Sequence, residues 1–146
     1  VDVIAPGIRQ VDTLLGGMDR MTAGFLIDGT QPALVETGSQ TSAPAVLEAL
    51  SAAGLDAADL RWIVVTHIHL DHAGGVGDIA AAFPNATVVV HERGARHLLD
   101  PTRLIDSASR VYGPLLDGLY GRMLPVAEDR LVAAADGYRV DLGAGH

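Results

Sequence analysis

Cysteine is absent from all 146 residues. That excludes disulfides, thiolate metal ligands and thiol nucleophiles, and it fits a reducing compartment. A metal bound here must be held by nitrogen and oxygen. Basic residues are scarce: 10 Lys and Arg against 18 Asp and Glu leave a formal charge of −8 and a pI near 5.0. With no basic run, a nucleic-acid groove within this stretch is not expected. No apolar run is long enough to cross a bilayer. Val1 to Gly7 lacks the basic start of a secretory leader. These absences lead us to expect a cytoplasmic protein with neither a nucleic-acid nor a membrane partner.

What is present is apolar. Hydrophobic residues make up 49% of the chain, and mean hydropathy is +0.28. That points to a sheet buried on both faces, or to an apolar face made for a partner. The length suits one domain or part of one, burying roughly 68–70% of its unfolded surface without staples.

The order of elements follows from periodicity. The first forty residues read as β: Ile8 to Leu15 and Ala23 to Ile27 are short apolar runs, Asp28-Gly29 signals a hairpin turn, and Ala33 to Val35 follows. Ser42 and Pro44 predict a helix start, Val46, Leu47 and Leu50 its apolar face, and Gly54 its end. Arg61 to Val65 reads as a buried strand. Gly74-Gly75 leads into a helix from Val76 to Phe83, and Thr87 to Val90 is the next strand. His91 to Tyr120 is helical, broken at Pro101, Gly113-Pro114 and Gly118. Val132 to Ala135 and Tyr138 to Leu142 read as strands on either side of an Asp136-Gly137 turn. No internal repeat or disordered linker is evident.

Chemistry concentrates in His67-Ile68-His69-Leu70-Asp71-His72, directly after the buried strand. Three imidazoles and a carboxylate within six residues suit a metal site. A strand relaxing into a loop keeps a rough period of two, so His67 and His69 point the same way and can share one ion. Asp71 and His72, at the turn into the next helix, can address a second. Two ions can clamp a hydroxide, because bound water falls to a pKa of roughly 7. A merely solvated or capping cluster is the bland reading, and four ligand types at this spacing argue against it.

Thr66-His67-Ile68-His69-Leu70-Asp71-His72-Ala73-Gly74-Gly75 resembles the signature of the metallo-β-lactamase fold superfamily. The resemblance implies His67 and His69 on a first metal, and Asp71 and His72 on a second. Leu34-Val35-Glu36-Thr37-Gly38 resembles the family's strand-end acidic-Thr-Gly element. It implies Glu36 as a partner behind the metal ligands, one methylene longer than the Asp of many members. Phe83-Pro84-Asn85-Ala86 and His91-Glu92-Arg93-Gly94 resemble the next βα step. The family's later Pro-Gly-His element, bridging Asp and last His have no recognisable counterpart before His146. Gly143-Ala144-Gly145-His146 imitates Pro-Gly-His but comes too early. We therefore expect residues 1–146 to be the N-terminal half of a metallo-β-lactamase-fold domain, truncated, with further ligands from a C-terminal half or a homo-oligomer.

Other signals weigh less. Gly75-Val76-Gly77-Asp78 imitates a dinucleotide fingerprint, but Thr66 to Gly74 intervene between strand and glycines. The reading preferred for Gly74 and Gly75 is close packing of a helix start against the site. His91 and His97 are six apart and do not share a helix face. Gly38 to Ser42 can present amides to an anion, though ordinary capping explains them better. Tyr112 and Tyr120 are candidates for a pocket, and Trp62 for the core. Arg103 and Arg110 read as a solvated face.

The fold expected is α/β, the first half-lobe of an αββα sandwich. What the resemblance implies for the intact protein is a hydrolase of small-molecule esters, thioesters, lactones or amides. It would use a metal-held hydroxide, with Asp71 as a further catalytic group. Two zinc ions are the default, with iron or manganese compatible with the same ligands. The alternatives are an iron-dependent oxygenase on the same scaffold and a metal-deficient, non-catalytic half-domain.

Overall fold

The computed structural model describes residues 1–143. Among them, seven strands form one sheet in sequence order. They are β1 (Asp2–Ala5), β2 (Ile8–Asp12), β3 (Ala23–Ile27), β4 (Ala33–Val35), β5 (Trp62–Val65), β6 (Thr87–His91) and β7 (Leu131–Ala134). The first four strands pair antiparallel, and β4 to β7 pair parallel. The switch follows from connection length. Short loops return the chain alongside itself as hairpins, whereas the long helical segments after β4, β5 and β6 bring it back in the same direction.

Those segments supply α1 (Ala43–Ala52), α2 (Leu70–Ala73), α3 (Val76–Ala82), α4 (Glu92–Leu99), α5 (Thr102–Tyr112) and α6 (Leu116–Leu119). Right-handed crossovers taken in one direction along the sheet put α1, α3 and α4 on one face. Beneath them, Val11, Leu26, Leu34, Ile63, Val65, Val88 and Val90 are buried, with Val46, Leu50, Ile79 and Leu98 from the helices. Trp62 and Val64 alternate with Ile63 and Val65 and turn to the other face, where they stay half-buried. This is one sheet under one helical layer, the half-lobe that the sequence led us to expect.

Asp28 and Gly29 open the connection of the antiparallel β3–β4 hairpin, as expected, and that connection is five residues long. Three expectations are corrected locally. Ser42 occupies the N-cap position of α1 but does not cap it; its buried hydroxyl bonds Ser39 instead. Gly118 lies within α6 rather than ending a helix. Tyr138 to Leu142 forms no ladder. It lies against the open face of the sheet, where Trp62 Nε1 donates to the Asp141 carbonyl at 2.8 Å and Gln31 N donates to that of Leu142 at 3.0 Å. A strand needs a neighbour for its backbone groups, and here side-chain and loop groups satisfy them singly. The strand β1 was not foreseen. His146 lies outside the described residues.

Candidate metal centre

The parallel half of the sheet brings three strand ends to one edge. Glu36 follows β4, Thr66 and His67 follow β5, and His91 closes β6. Ligand sites of open parallel sheets lie at this carboxyl edge, because the loops there all emerge on the same side.

Glu36 turns the chain out of β4 with φ of +67° and is 5% exposed. A non-glycine residue in the left-handed region costs about 1–3 kcal/mol and persists only where its surroundings hold it. Here they do. Glu36 N donates to Val64 O at 2.9 Å, and Thr66 N donates to Glu36 Oε1 at 2.7 Å. Next in the chain, Thr37 N and Thr37 Oγ1 both donate to the His72 carbonyl, at 2.9 and 3.0 Å. The acidic-Thr-Gly element thus clamps both ends of the histidine loop.

Gly74 and Gly75 allow that approach. A Cβ at Gly74 would run into the Leu70 carbonyl and the backbone of Ser39 and Gln40. At Gly75 it would lie 3.0 Å from the carbonyls of Thr37 and Ser39. The glycine pair therefore serves close packing beside the site. The Ser39 hydroxyl bonds those of Thr41 and Ser42, and exposed Thr41 also donates to the Leu119 carbonyl at 2.9 Å.

Within this frame, one ligand atom from each of Glu36, His67 and His72 falls inside a 4.8 Å cluster. The His67 and His72 rings are 4.3 Å apart, and His69 stands edge-on to His67 at 4.7 Å. Asp71 Oδ2 lies 3.4 Å from His72 Nε2. Thr66 Oγ1 occupies His67 Nδ1 at 2.9 Å, which leaves Nε2 available as a ligand. His67, Asp71 and His72 are half-buried, and His69 is exposed. The structure therefore gathers all five residues singled out in the sequence. Its tightest group is Glu36, His67 and His72, with His69 and Asp71 on the flank.

The carboxylate of Glu36 tests whether this set suits a cation. Its Oε2 sits 2.7 Å from His72 Nδ1, yet the approach is misaligned and the buried oxygen has no hydrogen-bond partner. A buried carboxylate oxygen left this way is costly unless a positive charge or a properly aimed N–H meets it. Imidazole nitrogens and carboxylate oxygens with no sulfur form a donor set that zinc accepts readily.

Beside these residues lies a cleft of about 480 Å³, lined by His69, Asp71, Leu104, Ser107, Tyr112 and Tyr120 among others. The Tyr112 and Tyr120 rings are 4.8 Å apart. Hydrogen bonding with Tyr112, then burial, then the nearby Tyr112 and Asp71 charges push the Tyr120 phenol up to about 12. The two tyrosines thus line a pocket as anticipated. Trp62 is half-buried on the open face of the sheet, not in the core. His91 is exposed, and its Nδ1 accepts from Arg93 N at the start of α4. Arg103 and Arg110 are exposed on α5.

Two contributors were not legible. Thr66 stands in the quoted motif, but spacing says nothing of where its hydroxyl turns. Arg130 lies 58 residues beyond His72 in sequence order. Its guanidinium donates to the carbonyls of Ala80, Phe83 and Ala86, closing the end of α3 that runs back from the site.

Residues 18–145 match the sequence profile of the Metallo-beta-lactamase superfamily. The chain belongs to that superfamily. Among characterised relatives of this superfamily member, an N-acyl homoserine lactonase AttM from Azorhizobium caulinodans is 40% identical over 52 residues, 36% of this chain and 18% of the relative. Metallo-beta-lactamase domain-containing protein 1 from Rattus norvegicus is 41% identical over 59 residues, 40% of this chain and 22% of the relative. Among solved structures, the subclass B3 metallo-beta-lactamase MEM-A1 from a soil metagenome superposes with a TM-score of 0.71 at 28% identity. That match covers 94% of this chain and 47% of MEM-A1. An archaeal superfamily protein from Sulfolobus tokodaii shares the fold at TM-score 0.74, 21% identity, 94% of this chain and 52% of its own. The chain thus spans about half the length of the solved superfamily members it matches.

Proposed function

We propose that the complete protein is a metal-dependent hydrolase of carbonyl substrates, with lactones and thioesters foremost among esters, thioesters, lactones and amides. The observation that carries this reading is the gathering of Glu36, His67 and His72, flanked by His69 and Asp71, around a buried carboxylate oxygen that lacks a partner. The lactonase relatives favour lactones over β-lactams.

His67, His69, Asp71 and His72 would hold the metal, taken as two zinc ions, with iron or manganese acceptable to the same atoms. A bound metal of this kind supplies a nucleophile at neutral pH by acidifying water, and it polarises a carbonyl. The chain's own residues do the rest. Glu36 brings Oε2 within 2.7 Å of His72 Nδ1, close enough to orient that ring once its N–H turns onto the oxygen, as carboxylates do for ligating histidines. Thr66 fixes the His67 ring through Nδ1. Asp71, half-exposed beside His72, can accept a proton at its carboxylate. The remaining ligands are proposed to come from a C-terminal half or a second chain, since the solved relatives are about twice as long.

The test is an assay of the complete, zinc-loaded protein against N-acyl homoserine lactones, acyl thioesters and a β-lactam. Lactone or thioester turnover that a chelator removes is the expected result. His67→Ala should abolish turnover while the circular dichroism spectrum is retained; unchanged activity would sink the assignment. Oxygen consumption with iron bound and no hydrolysis would favour the oxygenase reading instead. Absence of metal binding by the complete protein would favour a non-catalytic domain.

A further inference from the structure

Glu36 reaches the two outer histidines of the loop through different oxygens. Its Oε1 accepts from Thr66 N at 2.7 Å. The Thr66 hydroxyl in turn sits 2.9 Å from His67 Nδ1. Its Oε2 lies 2.7 Å from His72 Nδ1, buried and without a hydrogen-bond partner. Thr37, next in the chain, holds the His72 carbonyl through both its N–H and its hydroxyl. One carboxylate, 5% exposed, thus serves both ends of the histidine loop.

A neutral imidazole carries one N–H, and only the other nitrogen can ligate. For His67 to offer Nε2, its proton must sit on Nδ1, where it donates to Thr66 Oγ1. For His72 to offer Nε2, its Nδ1–H must turn onto Glu36 Oε2, the oxygen that has no partner. That turn fixes the carboxylate. The fixed carboxylate holds Thr66 N more firmly, and with it the hydroxyl that keeps His67 in its ligating form. Freedom lost at one ring is then not lost a second time at the other.

We infer that Glu36 and Thr66 form a positioning relay that joins the His67 and His72 rings, so that a divalent cation on one ring prepares the other for a second. The inference rests on the proposed metal-dependent reading and deepens it. The length of Glu36 matters here, because an aspartate on the same backbone has one methylene fewer with which to serve Thr66 N and His72 Nδ1 together. Thr66 is exposed, and its hydroxyl can be removed while the N–H that Glu36 accepts is kept.

The test is a zinc titration of the complete protein against a competing chelator, resolved into two affinities. Thr66→Val alters a contact of the His67 ring alone, yet it should weaken both ions, each by at least about fivefold. Thr66→Ser should weaken neither. If Thr66→Val weakens one ion only, or neither, the relay is overturned and the metal-dependent reading stands. Long-range nitrogen–proton NMR of the ring nitrogens, on zinc-free protein in mildly alkaline buffer, separates the reverse case. There His67 should be the Nδ1–H form in the natural sequence and in Thr66→Ser, and should move to the Nε2–H form in Thr66→Val. Glu36→Asp should shift the signals of both rings. If the protein takes up one zinc ion or none, the two-ion reading fails and these ring signals decide the relay. A His67 ring indifferent to Thr66→Val, or a Glu36→Asp shift confined to His72, overturns it.

Discussion

The antiparallel and parallel halves of this sheet use similar residues to different ends. In β1 to β3 each strand returns beside the last through a short connection, and the strand ends alternate between the two edges. Loops at alternate edges cannot share one site. In β4 to β6 every strand points the same way, so Glu36, His67 and His91 emerge together. The hairpin half contributes cover and an outer edge, where Val3 is 75% exposed. The parallel half gathers the candidate ligands. The lesson is that direction of pairing, rather than composition, decides which half can gather ligands.

Ile63 gives the largest expected break in that comparison. It is fully buried at the centre of β5, so Ile63→Ala should cost about 2–5 kcal/mol of stability in urea melts. A loss under about 1 kcal/mol would mean that the parallel half does not carry the core. Arg130 comes next. Arg130→Ala leaves three carbonyls around the end of α3 without their charged donor, and the expected loss is about 1.5–3 kcal/mol. Glu36→Gln sharpens the comparison at the site itself. The shape is kept and the charge removed, so zinc affinity measured by chelator competition should fall about 10- to 100-fold. Unaltered affinity would mean that Glu36 serves the backbone clamp alone. The smallest effect is expected at the outer edge: Val3→Thr should change stability by no more than about 0.5 kcal/mol.

Much of the parallel half was legible. Runs such as Ile63-Val64-Val65 and Val88-Val89-Val90 admit few structures, because β-branched side chains in short buried stretches favour strands. Pro44 and Gly54 bracket α1 for equally local reasons. The hairpin half was read more loosely. Asp2 to Ala5 pairs on one side only, and partly exposed edge strands carry a weak pattern. Tyr138 to Leu142 has a strand's alternation and no ladder, because pairing depends on what lies beside it. At the site, His67, His69, Asp71 and His72 were visible as ligand types. That the tightest cluster would be Glu36, His67 and His72 was not, since Glu36 reaches it only through the β4–β5 register and its own left-handed turn.

By itself, the sequence determined the superfamily, the candidate ligand types and the order of strands and helices from β2 to β7, since each rests on neighbours within a few residues. Only the tertiary structure decided that Glu36 leans on His72 with one oxygen unpartnered, that Thr66 holds His67, and that α5 lays Val111 and the tyrosines along a cleft ending at Asp71. Thr66 and His67 are adjacent, but Glu36 and His72 lie 36 residues apart and Asp71 and Val111 lie 40 apart. Their geometry is set by strand direction and close glycine packing, and no local pattern encodes it.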